Sequence, residues 1–384
     1  MFSGKKNGIV IGIDASRNRS GGAKAHLIGI LTESNPQLHG ISEVHLWSYK
    51  DLLDKIPDYP WLKKHCPPEL QGSLLSQIKW QYFVLAKELK KNNCDILFKT
   101  DGGNVCTFKP SVVMSRDMLS FEKKESRRYK FSLARLRILI LYFLQANSFR
   151  KSTGVIFLTQ YAAQNIQKRI GKVQSAVVIP HGVTKAFRQD LATKEFAPLQ
   201  EEIRCLYISD WHMYKHPWIV VKAIVLLRSK GYNLSLSLVG RGYGKAKQLL
   251  EEEVMRSDPA QNFVKVAGPV AHEQLPVYLA RADVFIFASS CENMPNILLE
   301  AMASGLPIAC SDRGPMPEVL QDGGVYFDPE NAQSIATAVE KILYDHELRS
   351  FIAKRAKEFS QQYSWEKCGQ ETWDFLVKTV NLVQ

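Results

Sequence analysis

ADVFIFASSCENMPNILLEAMASGLPIACS, residues 282–311, decides the fold of this chain. Two short apolar runs, ADVFIFAS and LPIACS, have strand length and enclose a helix-forming segment, NILLEAMA. Pro295 suits a first helical position, where its missing N–H would be unpaired anyway. Gly305-Leu306-Pro307 stops the helix. Such a strand–loop–helix–strand unit puts its loop at the carboxyl end of a parallel strand, where open α/β sheets bind ligands. Glu292 falls in that loop and Glu300 in the second turn of the helix.

A helix N-terminus points unpaired N–H groups at whatever lies above it and favours an anion there. Acids before and just inside that terminus can grip hydroxyls on both sides of a bound phosphate. Sugar hydroxyls, diphosphate and ribose hydroxyls follow one another in this way in a nucleotide-sugar. Two glutamates eight apart carry little alone, since acids are common near helix starts. The flanking strands give the pair its meaning.

Outward from this unit the alternation continues. Strands are expected at IVIGIDAS, EVHLWSY, DILFKT, SVVMS, GVIFLT and SAVVIP in the first half, and at EIRCLYIS, NLSLSLVG and FVKVAG in the second. Helical stretches lie between them at 74–91, 125–146 and 162–170, from Pro217, Tyr243 and His272, and after Asn331 and Glu347. Alternation of this kind predicts parallel sheets covered by helices. At 384 residues the chain has room for two such domains.

Residues 282–311, with the Pro317-Glu318-Val319 that follows, resemble the carboxyl-terminal signature of retaining GT-B glycosyltransferases of family 4, with its E-x7-E motif. The resemblance covers nearly the whole chain and is strongest over 264–343. It implies a GT-B fold: two Rossmann-like, doubly wound parallel-sheet domains facing a cleft, with a C-terminal helix crossing back. Residues 1–188 with 364–384 would form the acceptor domain and 189–363 the donor domain. Trp365, Trp373 and Phe375 would anchor the tail helix.

By the same resemblance Glu292 contacts the donor sugar and Glu300 the nucleotide ribose, with Asn293, Met294, Pro295 and Asn296 lining the donor loop between them. The family's diphosphate is held by an Arg and, five residues on, a Lys. Lys215 keeps the Lys position, but Asp210 occupies that of the Arg, and Arg241 in VGRGYGK is the candidate replacement. In the first half, Gly21-Gly22 corresponds to a Gly-rich loop facing the donor. Arg116 stands where many relatives carry a His, and His181 stands in the Asn position of an N-G-V turn. Asp101 is a further cleft candidate. These residues imply transfer of a sugar from a nucleotide diphosphate sugar, UDP- or GDP-linked, to a glycan or lipid-linked acceptor in polysaccharide or lipopolysaccharide assembly.

The chain shows no D-x-D or clustered His/Asp set, so no metal and no cofactor are expected. The seven cysteines are scattered without a C-x-x-C pair, as in a reduced, cytoplasmic protein. No leader is visible and no apolar run nears the roughly 20 residues of a membrane span. The net charge of +12 is uneven, because residues 1–190 balance at +16 and residues 191–384 at −4. The run EKKESRRYKFSLARLR, with seven basic residues, is read as a solvated helix face or a contact with an anionic membrane on its inner side. A nucleic-acid partner is not expected, since basic charge comes without a helix-turn-helix, RNP or zinc-finger pattern. A GT-B nucleotide-sugar epimerase and a non-catalytic GT-B partner subunit stay open as alternatives.

Overall fold

The computed structural model describes residues 8–188, 196 and 201–383, which divide into two compact units. Unit 1 takes the chain up to Phe121, Phe131–Gly182 and the stretch from Ser364 onward. Unit 2 takes Glu122–Lys130 and Val183–Tyr363.

In unit 1 the strands are β1 (Ile9–Asp14), β2 (Ile41–Trp47), β3 (Leu62–His65), β4 (Ile96–Lys99), β5 (Ser111–Met114), β6 (Gly154–Phe157) and β7 (Ala176–Val178), ordered β3-β2-β1-β4-β5-β6-β7 and all parallel. Every residue of β4, β5 and β6 is buried. Helices on both faces demand this, and it explains why these strands are mostly apolar, with Lys99 and Ser111 as buried polar ends. The C-terminal helix Trp365–Asn381 belongs to this unit and buries Trp365, Trp373 and Phe375. Its seat needs small residues: a Cβ on Gly29 would stand 2.4 Å from the Trp365 indole, and one on Gly182 2.2 Å from the Trp365 nitrogen.

Unit 2 holds β8 (Ile203–Ile208), β9 (Leu234–Val239), β10 (Val264–Gly268), β11 (Val284–Phe287), β12 (Ile308–Ser311) and β13 (Val325–Phe327), ordered β10-β9-β8-β11-β12-β13 and again parallel. Tyr207, Leu236 and Ile286 of the sheet pack with Ile224 and Val339 from its helices in one buried cluster. The strand order reverses between β8 and β11, which pair directly through Phe285 and Leu206. Loops leaving the carboxyl ends of these two strands therefore emerge side by side.

Three expected helices differ. The stretch 74–91 is two helices, Leu74–Phe83 and Leu85–Lys91, parted at Val84. The stretch 125–146 also breaks: Lys123–Arg127 ends in a turn with Lys130 at φ 45°, and Ser132 caps a new helix, Leu133–Lys151, by accepting the Arg135 N–H. A left-handed residue cannot continue an α-helix, so the basic run is not one helix face. From His272 the chain first makes a 3-10 turn to Gln274, and the α-helix spans Leu275–Arg281.

Candidate active site

Helix Asn296–Ala303 follows β11 with Pro295 at its N-cap, so it starts one residue later than the sequence suggests. The Pro295 carbonyl accepts from Leu298 and Leu299, which fixes the first turn without a side-chain cap. Asn293 and Met294 are buried in the loop before it.

Lys215 lies in the loop leaving β8. The Tyr207 hydroxyl donates to the Lys215 carbonyl at 2.6 Å, and the Lys215 N–H donates to His212 O at 2.9 Å. Its ammonium stands 5.5 Å from the Tyr214 ring and 5.6 Å from the Phe287 ring at the end of β11, and it pairs with Glu292 Oε1. Both side chains are mostly buried, 12% and 15% exposed. The adjacency of β8 and β11 thus joins two residues 77 positions apart.

Glu300 lies in the helix, buried, and its Oε1 accepts from His272 Nε2 at 2.7 Å. The spacing of the glutamates gives no hint of this partner. The Glu300 hydrogen bond raises the His272 pKa, while burial raises that of the Glu300 carboxyl. The pair therefore holds a proton more tightly than its parts would in water. The sign follows from proton linkage: the His272 contribution to stability is present below the unfolded value near 6.5 and is lost as pH rises through the raised native value. In an NMR titration His272 is expected to titrate above an ordinary histidine, and Glu300→Gln to return it toward that value. An unchanged titration in the variant would count against the pairing.

Asp210, which sequence alone sets against a diphosphate, has a backbone task. Its Oδ1 accepts the Arg241 N–H at 3.2 Å, while the Trp211 N–H donates to Arg241 O at 2.7 Å. Gly240 makes this approach possible: at φ 145°, a Cβ there would lie 1.8 Å from Ser209 O. Arg241 itself is exposed, on the loop whose backbone Asp210 fixes.

The first-half candidates all lie in unit 1, apart from the residues above by membership. Gly21 and Gly22 open the helix Gly21–Thr32, with open space where a Gly21 Cβ would stand. Asp101 accepts an ion pair from Arg17 at 3.2 Å and stands 4.0 Å from Arg116, whose Nη1 is buried without a hydrogen-bond partner. Burial pulls the Arg116 pKa down. His181 is buried and stacks on His26 at 4.9 Å, with Trp365 tilted at 5.6 Å. Among the described residues no group of three His, Cys, Asp or Glu side chains is placed to hold a metal ion.

Residues 189–359 match the family model described as glycosyl transferases group 1. The O-antigen chain mannosyltransferase B of Escherichia coli is 32% identical over 112 residues, 29% of each chain. A GDP-mannose-dependent alpha-(1-6)-phosphatidylinositol monomannoside mannosyltransferase of Mycobacterium tuberculosis is 26% identical over 240 residues, 58% of this chain and 61% of its own. The chain thus spans less than two thirds of the length of these curated relatives. Among solved structures, Anabaena HepE in complex with UDP and glucose superposes with a TM-score of 0.67 at 19% identity, covering 96% of this chain and 99% of its own. That likeness, with the two parallel sheets, shows the GT-B fold. Residues 189–359 are a glycosyl transferases group 1 domain, in a chain of GT-B fold.

Proposed function

We propose that this chain is a glycosyltransferase that moves a sugar from a nucleotide diphosphate sugar to a glycan or lipid-linked acceptor, with retention of configuration, in cell-surface polysaccharide or lipopolysaccharide assembly. The observation that carries this reading is the Lys215–Glu292 pair at the switch point of a group 1 domain, next to the start of the Glu300 helix. Without substrate the cation and the carboxylate neutralise each other. A donor brings a partner for each, diphosphate for Lys215 and sugar hydroxyls for Glu292, so binding exchanges one ion pair for another plus charge-assisted hydrogen bonds. The helix N-terminus adds N–H groups toward the phosphate, and Glu300 takes the ribose hydroxyls. Charge developing on the leaving diphosphate is then stabilised by fixed protein groups. The departing phosphate oxygen takes the acceptor proton on the same face, so no separate base is needed. UDP- and GDP-sugars are the donors favoured, given a GDP-mannose-dependent relative and a fold neighbour solved with UDP. Residues 1–188 with 364–384 are assigned to the acceptor and 189–363 to the donor; Gly21 and Gly22 are assigned to donor binding, and Asp101, Arg116 and His181 to the acceptor or cleft.

The deciding experiment incubates the purified chain with UDP-, GDP-, ADP- and dTDP-sugars and glycan acceptors and analyses the products. A lengthened glycan is expected. Epimerised free donor would replace this reading with the epimerase, and no turnover or binding of any donor would leave a partner subunit.

An anionic membrane surface is the proposed setting for the acceptor. Among the described residues no helix is long and apolar enough to cross a membrane. Helix Leu133–Lys151 nevertheless exposes Leu133, Leu136, Ile140 and Phe143, each by 51% or more, and follows Phe131, which is fully exposed; Arg137 is exposed on the same helix. Positions 133, 136, 140 and 143 follow helical spacing and form one stripe. Such a stripe beside a cation suits the interface of an anionic bilayer. Replacing Leu136 and Phe143 together by Glu is expected to lower co-sedimentation with phosphatidylglycerol vesicles by about tenfold. Binding that is equal on neutral vesicles, or indifferent to the substitutions, would refute the surface.

A further inference from the structure

The chain contributes to unit 2 twice, and the shorter contribution, Glu122–Lys130, reaches the donor loop. Its helix Lys123–Arg127 buries Glu125, which is 4% exposed. Glu125 Oε2 accepts the Ser290 hydroxyl at 2.7 Å. Arg128 donates to the same carboxylate with both arms, Nε to Oε2 at 2.6 Å and Nη2 to Oε1 at 3.1 Å. Arg128 and Lys124 both pair with Glu330 at 2.8 Å, which secures the segment at its far side.

Ser290 also lies 2.9 Å from His216 Nε2, and its N–H donates to Tyr214 O at 2.8 Å. A serine hydroxyl has one proton. The short contact to a carboxylate is the stronger claimant, ahead of Tyr214 O at 3.2 Å, so His216 supplies Nε2–H and Ser290 donates onward to Glu125. Burial, with the Arg128 cation next in weight, pushes the His216 pKa down to about 4 and keeps the imidazole neutral. His216 holds a left-handed backbone, φ 51° and ψ 35°, at the N-cap of the helix Pro217–Ser229. A non-glycine residue stays there only where its surroundings fix it.

The relay ties the residue after Lys215 to a residue two before Glu292. Sliding of either loop past the other would strain this relay together with the Lys215–Glu292 pair. We infer that Glu125 is a positioning residue, fastening Ser290 to His216 and so fixing the register of the loops that carry Lys215 and Glu292. The inference rests on the transferase reading for its catalytic consequence, and on the hydrogen bonds alone for its structural one.

Ser290→Ala cuts the link while leaving the Glu125–Arg128 pair intact, and Glu125→Ala cuts it from the other end. Each variant is expected to lower kcat by about tenfold, through loop misplacement. The double variant is expected to be no worse than the singles, because both break one relay. Amide hydrogen exchange should rise about tenfold in 212–216 and 289–293 while other strands of unit 2 keep their protection. Should Glu125→Ala fail to fold, Ser290→Ala carries both readouts. Unchanged loop exchange in Ser290→Ala overturns the proposal, as do effects on kcat that multiply independently. A parent protein that transfers no sugar defeats the transferase reading instead, and loop exchange still decides the relay.

Discussion

Glu292→Gln is expected to lower the turnover of sugar transfer by about 100-fold, on the scale of losing one fixed polar contact to a transition state. The fold should survive the change, because the Gln carbonyl can still accept from Lys215 and both groups keep some contact with water. What disappears is the charge. A carboxylate binds sugar hydroxyls by charge-assisted hydrogen bonds about twice as strong as those of an amide. The donor KM should change less than kcat if Glu292 acts chiefly in the transition state. Steady-state kinetics beside a thermal melt would measure both, and a parental rate in the variant would remove Glu292 from the site.

Lys215→Ala is expected to cost more, about 1,000-fold in kcat/KM for the donor. Two losses combine. The leaving diphosphate is deprived of its cation, and Glu292 stays behind, mostly buried and unpaired, facing the anion that should bind. Asp210, in the position where a second cation is expected, is an acid and cannot compensate; its carboxylate holds the Arg241 backbone instead. Arg241 is exposed and offers weaker, screened help. Lys215→Arg should recover part of the loss, because it restores charge but not the compact shape. Full transfer and donor affinity in Lys215→Ala would show that the diphosphate lies elsewhere.

How far these features could be read in the sequence depended on the range of the interactions behind them. VFIF and IACS are legible because a parallel strand covered on both faces must be apolar throughout. The edge strands LKKH and VYF are not legible: three of the four residues of β3 are polar, and two of the three in β13 are only partly buried, so neither reads as a buried apolar run. The break after Arg127 turns on one left-handed residue, Lys130, whose type does not announce it. Within the site, Glu292 and Glu300 stand out through their places around a helix start. His272 as the partner of Glu300, Asp210 as an anchor for Arg241 and Glu125 beneath Ser290 are separated from their partners by 28, 31 and 165 positions. Such pairs are created by strand order, and strand order is not written locally.

The double entry of the chain into unit 2 bears on how this protein could be recombined. GT-B halves invite exchange as cassettes joined at a single seam. Here a crossover near residue 182 would carry away Val183–Tyr363 but leave Glu122–Lys130 with the other parent. A hybrid would then meet Ser290 and Glu330 with a foreign segment, unless two seams were cut and that short stretch travelled with Val183–Tyr363. Any such exchange needs two seams, not one.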